Sequence, residues 1–295
     1  MFSKAGYENA VKYPNTDTSM FQSNFWINLD KGCAERCDQN IILNTTPFAK
    51  HVDKSLIQLP TYDVGISKTS SDLKERFAVL AIGSNSSPDI MIKKLKNIGG
   101  EFLLAQAQIE NHAVVHAACI GVAGTVPATI MPNQDTTTDV TISFLTAEQA
   151  TALTGTEWNY DVVQSGFAPS LRQGTGIPVI DGALMYVSPW GALTIDQQNP
   201  LALKDVPSST ELAKLQSIGA MGFIADILGE NSIQKLFDSF PGDTPDKEEK
   251  RLKAIFEIQK RNALPATIQG QQAWAASIGP KYEALGHSFP AIRYT

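Results

Sequence analysis

Phe77-Ala78-Val79-Leu80-Ala81-Ile82-Gly83-Ser84-Asn85-Ser86-Ser87-Pro88-Asp89-Ile90-Met91-Ile92-Lys93-Lys94-Leu95 is the stretch on which the fold turns. Its first six residues are a continuous apolar run of strand length, which predicts a buried strand. Ser87 then stands as an N-cap, Pro88 at the first helical position and Asp89 in the first turn, which predicts a helix over 88–98. Between them lies the small-residue turn Gly83-Ser84-Asn85. A strand, a short turn and a helix N-terminus gather free backbone N–H groups and the positive end of a helix dipole. Residues 83–86 are therefore a candidate seat for a carboxylate or phosphate. The same turn also works as a plain strand-to-helix connection, and by itself it does not separate the two readings.

Outward from this stretch, residues 76–190 alternate apolar runs with turns, at 77–82, 113–123, 127–131, 139–145, 162–163 and 182–187. Several runs are short and β-branched, so they predict strands. A second helix is predicted from Thr146, with Gln149 completing a capping box, to Leu153. The fold class expected is α+β, a mixed α/β domain with few helices and a sheet curling towards a small barrel. Residues 1–75 are rich in Asn, Asp, Ser and Thr, with apolar patches at Phe21, Phe25-Trp26-Ile27 and Ile41-Ile42-Leu43. They read as an irregular extension with one or two short elements, packed on the core. Beyond about 205 the pattern turns helical. Ser208 and Glu211 form a capping box ahead of a helix running to Leu228 before Gly229, and Asn231 caps a short helix to Phe240. After a break at 241–245, a charged amphipathic helix spans 246–262. The expected organisation is an extension over 1–75, a domain carrying the site over 76–200, and a helical section over 201–295.

The chain has 295 residues, with hydrophobic content of 43% and charged content of 18%, ordinary for a globular protein. A formal net charge of -6 and scattered Lys and Arg argue against nucleic acid as a partner. The groups Lys93-Lys94 and Lys250-Arg251-Lys253 read as solvated helix faces. The three cysteines, Cys33, Cys37 and Cys119, form no CxxC pair and no even framework, which fits a reducing compartment. The N-terminus is polar and no stretch is long enough to span a membrane, so a cytoplasmic location and no membrane partner are expected.

Candidate chemistry gathers after the second helix, in Leu153-Thr154-Gly155-Thr156-Glu157-Trp158-Asn159-Tyr160. A carboxylate beside aromatic side chains is a candidate general base, and a lone exposed glutamate in a loop is the plain alternative. His112 and His116 stand four apart near Glu110, a zinc spacing on a helix. The surrounding Ala113-Val114-Val115 and Ala117-Ala118-Cys119-Ile120 read as strand, where the two imidazoles share a face but lie too far apart for one metal. Ser84 and Ser86 lack a nucleophile elbow, and Cys119 sits in an apolar run as an inert core thiol.

Taken in order, these pieces resemble the γ-glutamylcyclotransferase-like family. That family carries a Tyr-Gly-Ser-Asn turn after its first strand, then a Gly-x-x-Ala-Thr-Ile/Leu-x-Pro strand. A strand feeding a short helix and a Leu-Asp-x-x-Glu-Gly segment with the catalytic glutamate follow. This chain has Ala81-Ile82-Gly83-Ser84-Asn85, then Gly124-Thr125-Val126-Pro127-Ala128-Thr129-Ile130-Met131-Pro132. It continues with Val140 to Gln149 and then Leu153-Thr154-Gly155-Thr156-Glu157. The resemblance covers about 76–190. Ile82 stands where the family has tyrosine, Thr154 where it has aspartate, and Trp158 where it has glycine.

The resemblance implies cyclising cleavage of a γ-glutamyl amide, a lyase-type reaction releasing 5-oxoproline and the free amine. Glu157 would be the general acid/base. Gly83, Ser84 and Asn85 would hold the substrate's α-carboxylate, with Ile82 beside them. Tyr160 could hydrogen-bond the substrate, although core packing suits it as well. The partner is a small γ-glutamyl molecule, and no metal, nucleotide or redox cofactor is required. Two other classes stand beside this one. The first is a non-catalytic binding module whose C-terminal helices meet a protein partner or another copy. The second is an amide hydrolase or acyltransferase.

Overall fold

The computed structural model describes residues 21–37, 41–51, 58–66, 73–157, 160–172 and 179–264. Its centre is an antiparallel pair of long strands, β6 (Glu101–His116) and β7 (Ala128–Leu145). β5 (Leu73–Ala81) pairs with β7, and β10 (Leu184–Val187) lies parallel to β5 and antiparallel to β8 (Asp161–Gln164). On the other flank β12 (Ala202–Leu203) pairs with β6 and, in parallel, with β13 (Lys214–Leu215). The short strand β9 (Ser170–Leu171) also pairs with β6. This predominantly antiparallel sheet curls into a half-barrel, and with five helices among the described residues the fold is mixed α+β.

The apolar run at 77–82 is continuous because β5 is covered on both faces. Ala78, Leu80 and Ile82 enter the concave core with Ala105, Ile142, Phe144 and Met185. Phe77 and Val79 point the other way, into a second core with Leu104, Leu145, Leu184 and Tyr186. Two helices close that second core: α1 (Pro88–Leu95) through Met91 and Leu95, and α2 (Ala147–Thr154) through Ala150 and Leu153. The Thr146–Gln149 capping box forms in full: Gln149 N donates to Thr146 Oγ1 and Thr146 N to Gln149 Oε1, each at 3.1 Å.

Several local expectations change. The described residues between 24 and 66 are mostly strand rather than irregular, with β1 (Asn24–Asn28), β2 (Cys33–Cys37), β3 (Ile41–His51) and β4 (Gln58–Ile66). β1 joins β6 and β4 joins β5, so this region extends the sheet rather than resting on it. Tyr62 of β4 anchors it, packed edge-on to Phe144 with ring centroids 6.0 Å apart and donating its hydroxyl to Asp181 O. Burial pushes that phenol up to about 12.

The strands expected at 127–131 and 139–145 are one strand, β7. Its polar middle is a bulge: Pro132 pairs with His112 and Thr137 with Glu110, so 133–136 stand opposite Asn111. Asn111 and Asp135 take positive φ there (56° and 59°), which short polar side chains tolerate, and Asp135 N donates to Asn111 Oδ1 at 3.0 Å. Of the run expected at 113–123 only 113–116 are strand, the end of β6, which begins at Glu101; 117–123 belong to the connection to β7.

The capping-box pattern at 208–211 does not start a helix. Ser209 exchanges bonds with Thr137, its N reaching Thr137 O and its hydroxyl accepting from Thr137 N, and Lys214–Leu215 continues into the sheet. The helix α3 (Ser217–Ile227) begins later, with Gln216 as N-cap. α4 (Ile233–Ser239) and α5 (Pro245–Arg261) follow, close to the expected bounds, with Ser232 rather than Asn231 as N-cap of α4.

These helices build a separate core with the β6–β7 connection, Met221, Ile224, Leu236, Phe237 and Ile258 meeting Ala118, Ile120 and Val126. Gly124 shows how close the approach is: at φ +75°, a Cβ there would stand 2.6 Å from Pro241 Cγ. Arg251, expected on a solvated face, is buried and donates to the carbonyls of Phe240 and Gly242. β11 (Ala192–Leu193) and β14 (Ala263–Leu264) form a separate two-stranded ribbon. Among the described residues no helix is long and apolar enough to cross a membrane.

Candidate functional site

The turn after β5 is held from below. Ser86 Oγ donates to Ala81 O at 3.0 Å, while Ser86 N and Ser87 N close the turn onto Gly83 O and Ser84 O. The N–H groups of Ser84 and Asn85 donate to no acceptor among the described residues, which leaves two donors at the mouth of the turn. Ser87 caps α1 by position, with no side-chain bond. Gly83 is buried with φ -138° and ψ -133°, and Ile82 packs into the concave core.

Glu157 reaches this turn from the end of α2. Thr156 N and Glu157 N fold back onto Leu153 O and Thr154 O, continuing the helix as a turn, and Tyr160 N closes onto Glu157 O at 3.1 Å. Thr156 Oγ1 donates to Leu153 O at 2.8 Å and lies 3.1 Å from Glu157 Oε1. The Glu157 side chain is 8% exposed. Asn85 Nδ2 donates to Glu157 Oε1 at 3.1 Å across 72 residues of sequence. The two segments expected to share a site therefore touch.

A third member was not expected. Lys94 Nζ lies 2.5 Å from Glu157 Oε1 and 2.7 Å from Asn85 Oδ1, closing a ring of three side chains from α1, the turn and the loop after α2. Its side chain is 21% exposed, so the solvated-face reading holds for the exposed Lys93 and fails for Lys94. Physical reasons for the lysine are plain. A carboxylate just past the C-terminal end of α2 faces the negative end of that dipole, and a cation in the last turn of α1 is favoured by its own. Oε1 accepts from Lys94 and Asn85 and lies beside the Thr156 hydroxyl, while Oε2 accepts no hydrogen bond among the described residues.

Behind the carboxylate stands Tyr186 of β10, whose hydroxyl lies 3.0 Å from Thr154 Oγ1. Thr154 spends its own proton on Ala150 O at 2.9 Å, so Tyr186 is the donor. Burial first, and the Glu157 charge to a smaller extent, push the Tyr186 phenol up. Tyr160 packs against the same core, and Trp158 lies outside the described residues. Lys94 and Tyr186 were missed for a simple reason: reach and partner choice of a lysine, and which strand lies behind a loop, are properties of the assembled sheet.

No family model, curated protein or solved structure matches this chain. The arrangement must therefore be read from its own chemistry.

The remaining candidates lie elsewhere. His112 stacks on Phe167 with ring centroids 4.1 Å apart, and its Nδ1 is 2.9 Å from Glu110 O. His116 is wholly buried under β13, its Nε2 3.0 Å from Leu215 O. The described residues contain no group of three or more His, Cys, Asp or Glu side chains able to hold a metal. Cys33 and Cys37 lie on β2 rather than a helix and are unbridged. Cys119 is buried beside Ser188, and burial pushes its thiol up to about 12, which makes it a poor nucleophile.

Proposed function

We propose that this chain carries a γ-glutamylcyclotransferase-like core and cleaves a γ-glutamyl amide by cyclisation, releasing 5-oxoproline and the free amine. The observation that supports this reading is the meeting of Glu157 with the 83–86 turn, on a carboxylate that is nearly buried yet has one oxygen unengaged among the described residues.

The substrate contains its own nucleophile. Its α-amine nitrogen attacks the γ-carbonyl carbon, the new C–N bond closes a five-membered ring, and the amide C–N bond breaks. Holding the chain in the attack conformation is worth roughly 7–11 kcal/mol. Glu157, through Oε2, takes a proton from the α-ammonium and returns it to the departing nitrogen, a role worth about 10²–10⁴-fold. The N–H groups of Ser84 and Asn85 receive the α-carboxylate. Asn85 holds the glutamate by its other oxygen.

The test is release of 5-oxoproline from a panel of γ-glutamyl amino acids, peptides and amines, with Glu157→Gln alongside. Release by wild type that is lost in the variant is the expected result. Free glutamate in place of 5-oxoproline would assign hydrolysis. A second reading, a non-catalytic binding module, is favoured by the Lys94–Glu157 ion pair, since a neutralised carboxylate also serves as a structural latch. Absence of any product from folded protein across the panel would select it.

A further inference from the structure

We infer that the Lys94 ammonium is a tethered occupant of a primary-ammonium site, so that the site is closed at rest and a ligand enters by exchanging its own ammonium for that of Lys94. The proposal rests on the γ-glutamyl reading only for which ligand brings the ammonium. The site itself rests on three observations.

First, the acceptors are arranged for a cation and come from different elements. Glu157 Oε1 and Asn85 Oδ1 lie 2.5 and 2.7 Å from one nitrogen. Asn85 is oriented for this by its own amide, because Nδ2 is committed to Glu157 and Oδ1 is thereby turned to the cation. Second, the lysine is not needed to hold the carboxylate, since Asn85 also donates to Oε1. Removing the ammonium leaves the acceptor pair in place and a negative charge unmatched. Third, Lys94 can leave. It sits in the last turn of α1 with its side chain 21% exposed, on a flexible four-carbon stem.

An α-ammonium presents the same three N–H donors as Nζ and suits the same two acceptors. Two ammonium groups on one small carboxylate–amide pair repel, so occupancy is exclusive. A tethered competitor acts at a high effective concentration, and a ligand's apparent affinity falls by the fraction of molecules in which the site is vacant. Lys94 thus sets a threshold for entry: a bare amine binds poorly, whereas a ligand whose carboxylate also engages the 83–86 turn gains enough to displace it.

The experiment uses the full chain as wild type, Lys94→Met and Lys94→Arg, titrated with ethylammonium and followed by NMR. Tetramethylammonium, which has no N–H donor, is the control. Expected is binding of ethylammonium at least about tenfold tighter in Lys94→Met than in wild type. Lys94→Arg should stay as weak as wild type, and tetramethylammonium should show no binding. Equal or weaker binding in Lys94→Met would overturn the proposal and make Lys94 a fixed part of the site. Should Lys94→Met fail to fold, Lys94→Gln carries the same expectation. Because the probe is not a substrate, absence of 5-oxoproline in the activity assay would sink the γ-glutamyl reading and leave this result standing.

Discussion

Glu157 and His116 are both titratable groups taken out of water at a seam between elements, and they are treated in opposite ways. Glu157 collects donors from a helix and a turn onto one oxygen, and its other oxygen accepts no hydrogen bond among the described residues. His116 has one side-chain partner, the carbonyl of Leu215. Because a carbonyl only accepts, Nε2 carries the proton and the buried Nδ1 stands bare. The contrast teaches how to separate chemistry from architecture. Several side chains converging on a group that retains an unused, basic atom describe a site. A single backbone bond to a sealed group describes a fastening, here between the sheet and the edge strand that leads into the C-terminal helices.

The largest expected effect tests the first half of that contrast. Glu157→Gln removes the proton acceptor and nearly preserves shape. The turnover yielding 5-oxoproline should fall about 10²–10⁴-fold, equivalent to about 3–5 kcal/mol of barrier. Urea unfolding should change far less, since the glutamine can still accept from Asn85. A variant that loses stability but not activity would reverse the assignment and make Glu157 the fastening. The Lys94→Met titration sharpens the same half by asking whether the crowded oxygen is a binding point or a latch.

The second half is tested by pH. Burial pulls His116 down to about 4 from its ordinary 6.5, and protonating Nδ1 would also place an unpartnered N–H in the core. Between pH 6.5 and 4 the unfolded chain therefore binds a proton that the folded chain does not. Stability from this residue is complete above pH 6.5 and is lost as the pH falls to 4. At about 1.4 kcal/mol per pH unit the loss is about 3 kcal/mol. Urea midpoints of wild type and His116→Gln across that window should converge as the pH drops, because glutamine keeps a donor for Leu215 O and does not titrate. Parallel curves would show that His116 is hydrated and not sealed.

Much of this was legible in the sequence, and the failures share a cause. The strand–turn–helix at 77–95 was readable because its apolar run and its Ser87-Pro88 helix start are local signals, and the Thr146–Gln149 box because it is satisfied by its own residues. Glu157 was nominated only through the family resemblance, since by itself a glutamate after a helix reads equally as an exposed loop residue. What local pattern does not encode is pairing across the sheet. Ser208–Glu211 has a capping box, yet Ser209 bonds to Thr137 and no helix forms there, since the edge of β7 supplies partners that the local pattern ignores. The strands between 24 and 66 were hidden for the same reason: β1 pairs with β2 and β6, and β4 with β3 and β5, pairings that no local pattern announces. Lys94 was written off as solvated because its partner lies 63 residues away.

The smallest expected effect probes the boundary between the two kinds of group. Tyr186 is buried like His116, yet it stands behind the Glu157 loop and feels that carboxylate's charge. Its hydroxyl is spent on Thr154 Oγ1, which in turn donates to Ala150 O, so the chain of bonds runs into α2 and away from Oε2. Tyr186→Phe removes one hydrogen bond and leaves Thr154 its donation to the helix. The cost should be about 1 kcal/mol of unfolding free energy, with the kcat for 5-oxoproline release changed less than about threefold. A fall approaching that of Glu157→Gln at unchanged stability would mean that Tyr186 turns its proton toward the reacting amide. The site would then extend through Thr154 to β10, and the line between fastening and chemistry would run on the far side of the phenol.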